Sequence, residues 1–188
     1  MLMRKLALYS QLNELADSGG LVIFGGKTDQ GIPMCELKQA FHLQDKLYNR
    51  SIDGLSVHNG AEYFDACVAP LKPKDVLLRI GEADREFFAE NAAGFDKKLS
   101  ALLRHMRNNS CIRRIALISG TDTTEMNTHL AAVAKSEGCE FCDISHNRLM
   151  NPQKISDDLS FVYAFGFVRP LNRSRPLYDL AKILFCYA

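Results

Sequence analysis

Side chains able to act as nucleophile, base or anion ligand crowd four short stretches of the chain. Gly25-Gly26-Lys27-Thr28-Asp29 brings an amine, a hydroxyl and a carboxylate together. Ser51, Ser56 and His58 follow in the second stretch, and Glu82, Ala83 and Asp84 mark the third. The fourth carries Arg169, Asn172, Arg173 and Arg175, with no acid between Asp158 and Asp179. Two chemistries suit such a set. A hydroxyl or thiol (Thr28, Ser51, Ser56 or Cys35) beside His58 and one of Asp29, Glu82 or Asp84 would supply nucleophile, base and orienter for acyl transfer. Lys27 with one or two of the arginines would instead hold a phosphate, sulfate or carboxylate by charge-assisted hydrogen bonds. Plain structural roles compete with both. Thr28 and Asp84 suit helix caps, and Lys27 suits a surface ion pair with Asp29, Glu82 or Asp84.

Other motifs carry less. Gly26-Lys27-Thr28 ends like a G-x-x-x-x-G-K-[ST] phosphate loop, but the opening glycine would fall at position 21, which is leucine. Residues 21–24 also read as a strand, leaving no loop free to wrap a phosphate. Nucleotide binding is therefore the third-ranked function. Cys139 and Cys142 have CxxC spacing but no second pair, and they fall inside what reads as a strand, so they read as structural thiols. His42, His129 and His146 lack metal-ligand spacing with acids or cysteines, and neither a metal nor a cofactor is expected. Arg104, His105, Arg107, Arg113 and Arg114 gather near a helix end, where cations complement the dipole.

The elements that must position these groups alternate. The spacing predicts a helix over 4–16, stopped by Gly19-Gly20, and then a buried strand over 21–24. Weaker strand character covers 46–49, and a strong apolar strand covers 75–80. Phe88, Phe95, Leu99, Leu102 and Met106 form one stripe, predicting a long helix over 84–107. A strand over 114–119, a helix over 125–137 capped by Thr123 or Thr124, a strand over 140–144 and a last helix over 176–187 complete the series. Phe161, Tyr163, Phe165 and Phe167 alternate, as in an extra strand, a covering segment or a dimer patch. Strand–helix alternation implies a mostly parallel sheet covered on both faces, with ligands at the carboxyl ends of its strands. The loops at 25–31, 50–58, 81–86, 119–124 and 145–150 are the ones to inspect.

Three of these segments together resemble the sequence blocks of the SGNH (GDSL-like) hydrolases. Leu21-Val-Ile-Phe-Gly-Gly-Lys27 is similar to the strand that runs into Gly-Asp-Ser. Leu47-Tyr-Asn-Arg-Ser-Ile-Asp-Gly54 resembles the Asn-x-x-Ile-x-Gly turn, and Pro73–Asp84 resembles the strand ending in Gly-x-Asn-Asp. The likeness covers roughly 20–145 and implies a single-domain, three-layer α/β/α, flavodoxin-like fold with about five parallel strands. In that family a serine attacks, a glycine N–H and an asparagine join it in the oxyanion hole, and a C-terminal Asp-x-x-His completes the triad. Carried over, the serine falls on Lys27, the glycine on Gly54 and the asparagine on Ala83. The Asp-x-x-His region falls within 161–177, nearest Arg169–Asn172, and no histidine follows His146. Only the glycine is kept.

The resemblance thus implies a degenerate member without the usual serine-esterase chemistry, binding a small ligand or partner at the former mouth. Gly26, Lys27 and Thr28 would line that mouth on the first loop, Gly54 and Ser56 on the second. Glu82, Ala83 and Asp84 would close the third side, with Arg169 and Asn172 brought alongside. The alternative is a working ester hydrolase with a rearranged site around Ser56 and His58.

Composition sets outer limits. A chain of 188 residues, 47% hydrophobic and 24% charged, suits one soluble domain with a real core. Twenty-three Lys+Arg against 22 Asp+Glu leave a net charge of +1, without the basic excess a nucleic-acid binder needs. No run approaches a membrane span, and the start of the chain lacks a signal-peptide core. Six scattered cysteines suit a reducing compartment, so a cytoplasmic protein is expected. The expected partner is a small molecule, not nucleic acid or membrane, and a homo-oligomer is left open.

Overall fold

The computed structural model describes residues 2–40, 43, 44, 46–120 and 124–144, together with Ala181 and Phe185. Helix α1 (Leu2–Leu15) leads into strand β1 (Leu21–Phe24), followed by α2 (Met34–Ala40) and β2 (Leu47–Asn49). A short α3 (Gly60–Tyr63) precedes β3 (Asp75–Leu78), α4 (Arg85–Glu90) and α5 (Ala92–Arg107). Strand β4 (Arg114–Ile118), α6 (Thr124–Ser136) and β5 (Glu140–Cys142) close the described chain.

All five strands pair in parallel, in the order β2-β1-β3-β4-β5. Period-two alternation divides the core. Val22, Phe24, Val76, Leu78, Ile115 and Leu117 pack with Tyr9 of α1 and the apolar faces of α5 and α6. Leu21, Ile23, Leu77, Ala116, Ile118 and Cys142 pack against Ile32, Leu37, Leu43, Ala181 and Phe185 on the opposite side. Two covered faces explain why β1 reads as an unbroken apolar run. The three-layer α/β/α architecture expected from the sequence is present. Ala181 and Phe185, both helical and buried, fit the helix expected over 176–187; the rest of it, with Phe161 to Phe167, lies outside the described residues.

The helix expected over 84–107 is two helices. Asn91 (φ −153°, ψ 73°) leaves the helical region, and its side chain accepts a hydrogen bond from the Gly94 N–H at 2.8 Å, capping α5. A local cap overrides the continuous apolar stripe. β3, β4 and β5 are also shorter than expected, because pairing stops where the chain turns into the loops at the carboxyl ends.

Candidate functional site at the carboxyl ends of the sheet

In this strand order the connection reverses between β1 and β3, and open parallel sheets take their ligands at such a point, at the carboxyl ends of those two strands. The loops after β1, β2 and β3 meet there. The Gly25 carbonyl accepts from the Ile52 N–H at 2.9 Å, joining the first loop to the second. Three carboxylates then tie the loops down, and each has a separate task.

Asp29 is buried, at 2% exposure. Its Oδ1 accepts from Arg79 Nη1 at 2.7 Å, and its Oδ2 accepts from the Gly26 N–H at 3.0 Å. Burial pushes this carboxyl up, against the pull of the Arg79 guanidinium and the Gly26 amide. The Arg79 guanidinium also lies 5.8 Å from the Phe185 ring, so the far side of the sheet helps hold it. The Asn49 Nδ2 donates to the Asp29 carbonyl at 2.7 Å, locking the loop to the end of β2.

Glycine is required above this carboxylate. A Cβ on Gly25 would collide with the Asp29 carboxylate and Cβ, whereas one on Gly26 would meet the end of the Glu82 side chain. Arg79 pins Asp29, but the exposed Glu82 can swing aside. Gly25→Ala is therefore expected to destabilise by about 1–3 kcal/mol, and Gly26→Ala by well under that. Urea unfolding of the two variants checks the contrast.

Asp84 fixes the second loop from below. At 1% exposure, it accepts from the Val57 N–H through both oxygens, at 3.1 and 3.2 Å. Burial raises its pKa, while the Val57 amide and nearby His58 oppose the rise. From the other side, Tyr9 of α1 donates its hydroxyl to the Ser51 carbonyl at 2.8 Å. Arg50, only 5% exposed, stacks on Tyr9 and Tyr48 and donates to Asn13 Oδ1 at 2.9 and 2.8 Å. This scaffold was not foreseen. Its members are scattered over positions 9 to 84, and only the fold joins them.

Glu82 reaches back to the first loop, where its Oε2 accepts from Thr28 Oγ1 at 3.2 Å and the Thr28 N–H at 3.5 Å. Thr28 and Asp84 are thus not caps, since neither side chain accepts from a helix N–H. Nor does Lys27 begin a helix of any length. It precedes one 3-10 turn, Thr28–Gly31, and α2 starts only at Met34. The expected pairing of Lys27 with Asp29, Glu82 or Asp84 is absent. Lys27 is exposed and forms no ion pair among the described residues.

The Ser56–His58 pair does not assemble a nucleophile and base. Ser56 Oγ accepts from the His58 N–H at 3.3 Å, while the His58 ring stands edge-on to Phe87 with centroids 4.6 Å apart. Among the described residues that ring has no hydrogen-bonded hydroxyl, thiol or carboxylate. Gly54 adopts φ +79° with open space at its Cβ position, as a turn glycine should. Ala83 is exposed on the third loop. Arg169, Asn172 and the 145–150 loop lie outside the described residues.

Away from the mouth, Arg104 pairs with Glu137 at 2.7 Å and Arg114 with Asp75 at 2.9 Å. His105 pairs with Asp65 at 2.8 Å, so most of the basic cluster serves helix and strand ends. Cys139 is half-buried and Cys142 buried; burial raises the Cys139 thiol pKa, as expected of a structural group. The described residues contain no cluster able to hold a metal ion and no helix long and apolar enough to cross a membrane.

No family model and no curated protein matches the chain. Solved structures do. The acetyl xylan esterase AlAXEase superposes with a TM-score of 0.56 at 15% identity, over 89% of this chain and 98% of that one. A GDSL-like lipase from Bacteroides thetaiotaomicron gives a TM-score of 0.56 at 17% identity, over 73% and 77% of the two chains. The chain has the fold of the GDSL-like, or SGNH, hydrolases. An acetylxylan esterase from Geobacillus stearothermophilus aligns at 15% identity with a TM-score of 0.50, over 68% of this chain and 77% of that one. On the SGNH fold, Lys27, Gly54 and Ala83 occupy the three loops that the sequence blocks indicated, at the ends of β1, β2 and β3.

Proposed function

We propose that this SGNH-fold protein does not hydrolyse esters and binds a small anionic ligand at the crevice over β1 and β3, with Lys27 as the ligand's cation. The observation that carries this reading is the state of Lys27. It is exposed in the crevice loop and lacks an acidic partner among the described residues, although three carboxylates lie on the same or neighbouring loops. Arg79, Thr28 and the Val57 amide already engage those acids. An ammonium without an acidic partner among the described residues is a point charge for a phosphate or carboxylate, and its long stem lets it follow the ligand.

Thermal unfolding with inorganic phosphate and with acetate tests the proposal. Ligand at 100 times its dissociation constant stabilises a protein by about 2.7 kcal/mol, which raises the unfolding temperature measurably. That rise is expected to vanish in Lys27→Ala and to persist in Lys27→Arg. A rise that survives Lys27→Ala, or no rise with either anion, would overturn the proposal.

A further inference from the structure

The chain supplies an anion to its own crevice. Glu82 Oε2 rests on the first loop, accepting from both the hydroxyl and the amide of Thr28, 54 residues away in sequence. It also lies over Gly26 so closely that a side chain there would strike it. A carboxylate oxygen on a backbone N–H and a hydroxyl, above a residue with no side chain, has the contacts that a small external carboxylate would make. The third loop presents Glu82 through a fixed turn. Gly81 adopts φ +112°, and a Cβ there would collide with Met126 Sδ. Charge balance points the same way. Asp29 is answered by Arg79, which leaves exposed Lys27 and exposed Glu82 on facing loops without an ion pair between them.

We infer that Glu82 is a built-in occupant of the anion site, and that an external carboxylate or phosphate binds by displacing it from Thr28 and taking up Lys27. This rests on the anion-binding role proposed for Lys27 and adds its regulation. The protein's apparent affinity is set by competition with its own side chain. Glu82 holds the crevice closed to weak anions and yields to ligands that engage Lys27 as well.

Nuclear magnetic resonance titration of the full chain with acetate and with inorganic phosphate, following the Gly26 and Thr28 amides, tests the inference. Glu82→Ala is expected to tighten binding of both anions about two- to fivefold, an effect of the size seen for single surface charges. Glu90→Ala, which removes an exposed carboxylate from α4 instead, should leave affinity unchanged. If the wild-type protein binds through Lys27 but Glu82→Ala leaves affinity unchanged, the self-occupancy is wrong and the anion site stands. Equal tightening by Glu90→Ala would reduce the effect to general charge and overturn the inference. If the wild type binds neither anion, the anion-binding function itself falls, and the self-occupancy falls with it.

Discussion

Arg79→Ala is expected to cost about 3–5 kcal/mol of folding stability at neutral pH, the usual loss when one partner of a buried ion pair is removed. The pair qualifies, because the Asp29 side chain is 2% exposed and the Arg79 side chain 15%. With arginine gone, the Asp29 carboxylate keeps only the Gly26 amide, packed directly against Gly25. Burial already raises this carboxyl above its ordinary value of 3.8, and Arg79 is the main force holding it down. Removing Arg79 raises it further. The folded variant then takes up a proton at a pH where the folded wild type does not, so falling pH favours the variant relative to the wild type. The stability gap should be widest near neutrality and shrink as pH falls toward 4. Urea unfolding of both proteins at pH 7 and in the acid range would show this. A gap below 1 kcal/mol, or one that widens in acid, would mean that Asp29 is not the buried anchor described above.

Incubated with p-nitrophenyl acetate, the wild-type protein is expected to show no catalytic turnover. A serine-type site that loses its nucleophile or its base loses roughly 10⁶-fold in kcat, and one missing oxyanion donor alone costs about 10²–10³. Here Lys27 and Ala83 stand at the positions that the sequence blocks give to the serine and the asparagine, and no histidine follows His146. His58 is no substitute, since its ring packs on Phe87 and is hydrogen-bonded to no hydroxyl or thiol among the described residues. Ser56→Ala and His58→Ala should therefore leave the assay unchanged. Turnover that either substitution abolished would establish a rearranged esterase and displace the binding function proposed for the crevice.

The two predictions differ in how far the sequence could support them. Lys27, Gly54 and Ala83 were legible through the resemblance of three sequence blocks to the SGNH hydrolases; apolar runs mark the strands before Lys27 and Ala83, whereas the strand before Gly54 is weakly marked. The Arg79–Asp29 pair was not. Arg79 reads as the last residue but one of an ordinary strand, and Asp29 as a polar residue in a glycine-rich loop; 50 residues separate them. Asp84 looked like a cap because an acid just before an amphipathic stretch usually is one. Its carboxylate turned instead to Val57, 27 residues back, since the fold lays the second loop over it. Asn91 is the opposite case, a local signal that was present and lost to the stronger stripe of Phe88, Phe95 and Leu99.

What the sequence determined by itself was therefore the set of strands, their apolar faces and the loops at their ends. Burial of periodic apolar residues is a local property, legible within a few residues of chain. Tertiary structure alone decided what each polar side chain in those loops does. A carboxylate's partner depends on which other loops the sheet order brings within about 3 Å of it. The order β2-β1-β3 set Asp29 against Arg79, Asp84 against Val57 and Glu82 against Thr28, and left Lys27 without an acid among the described residues.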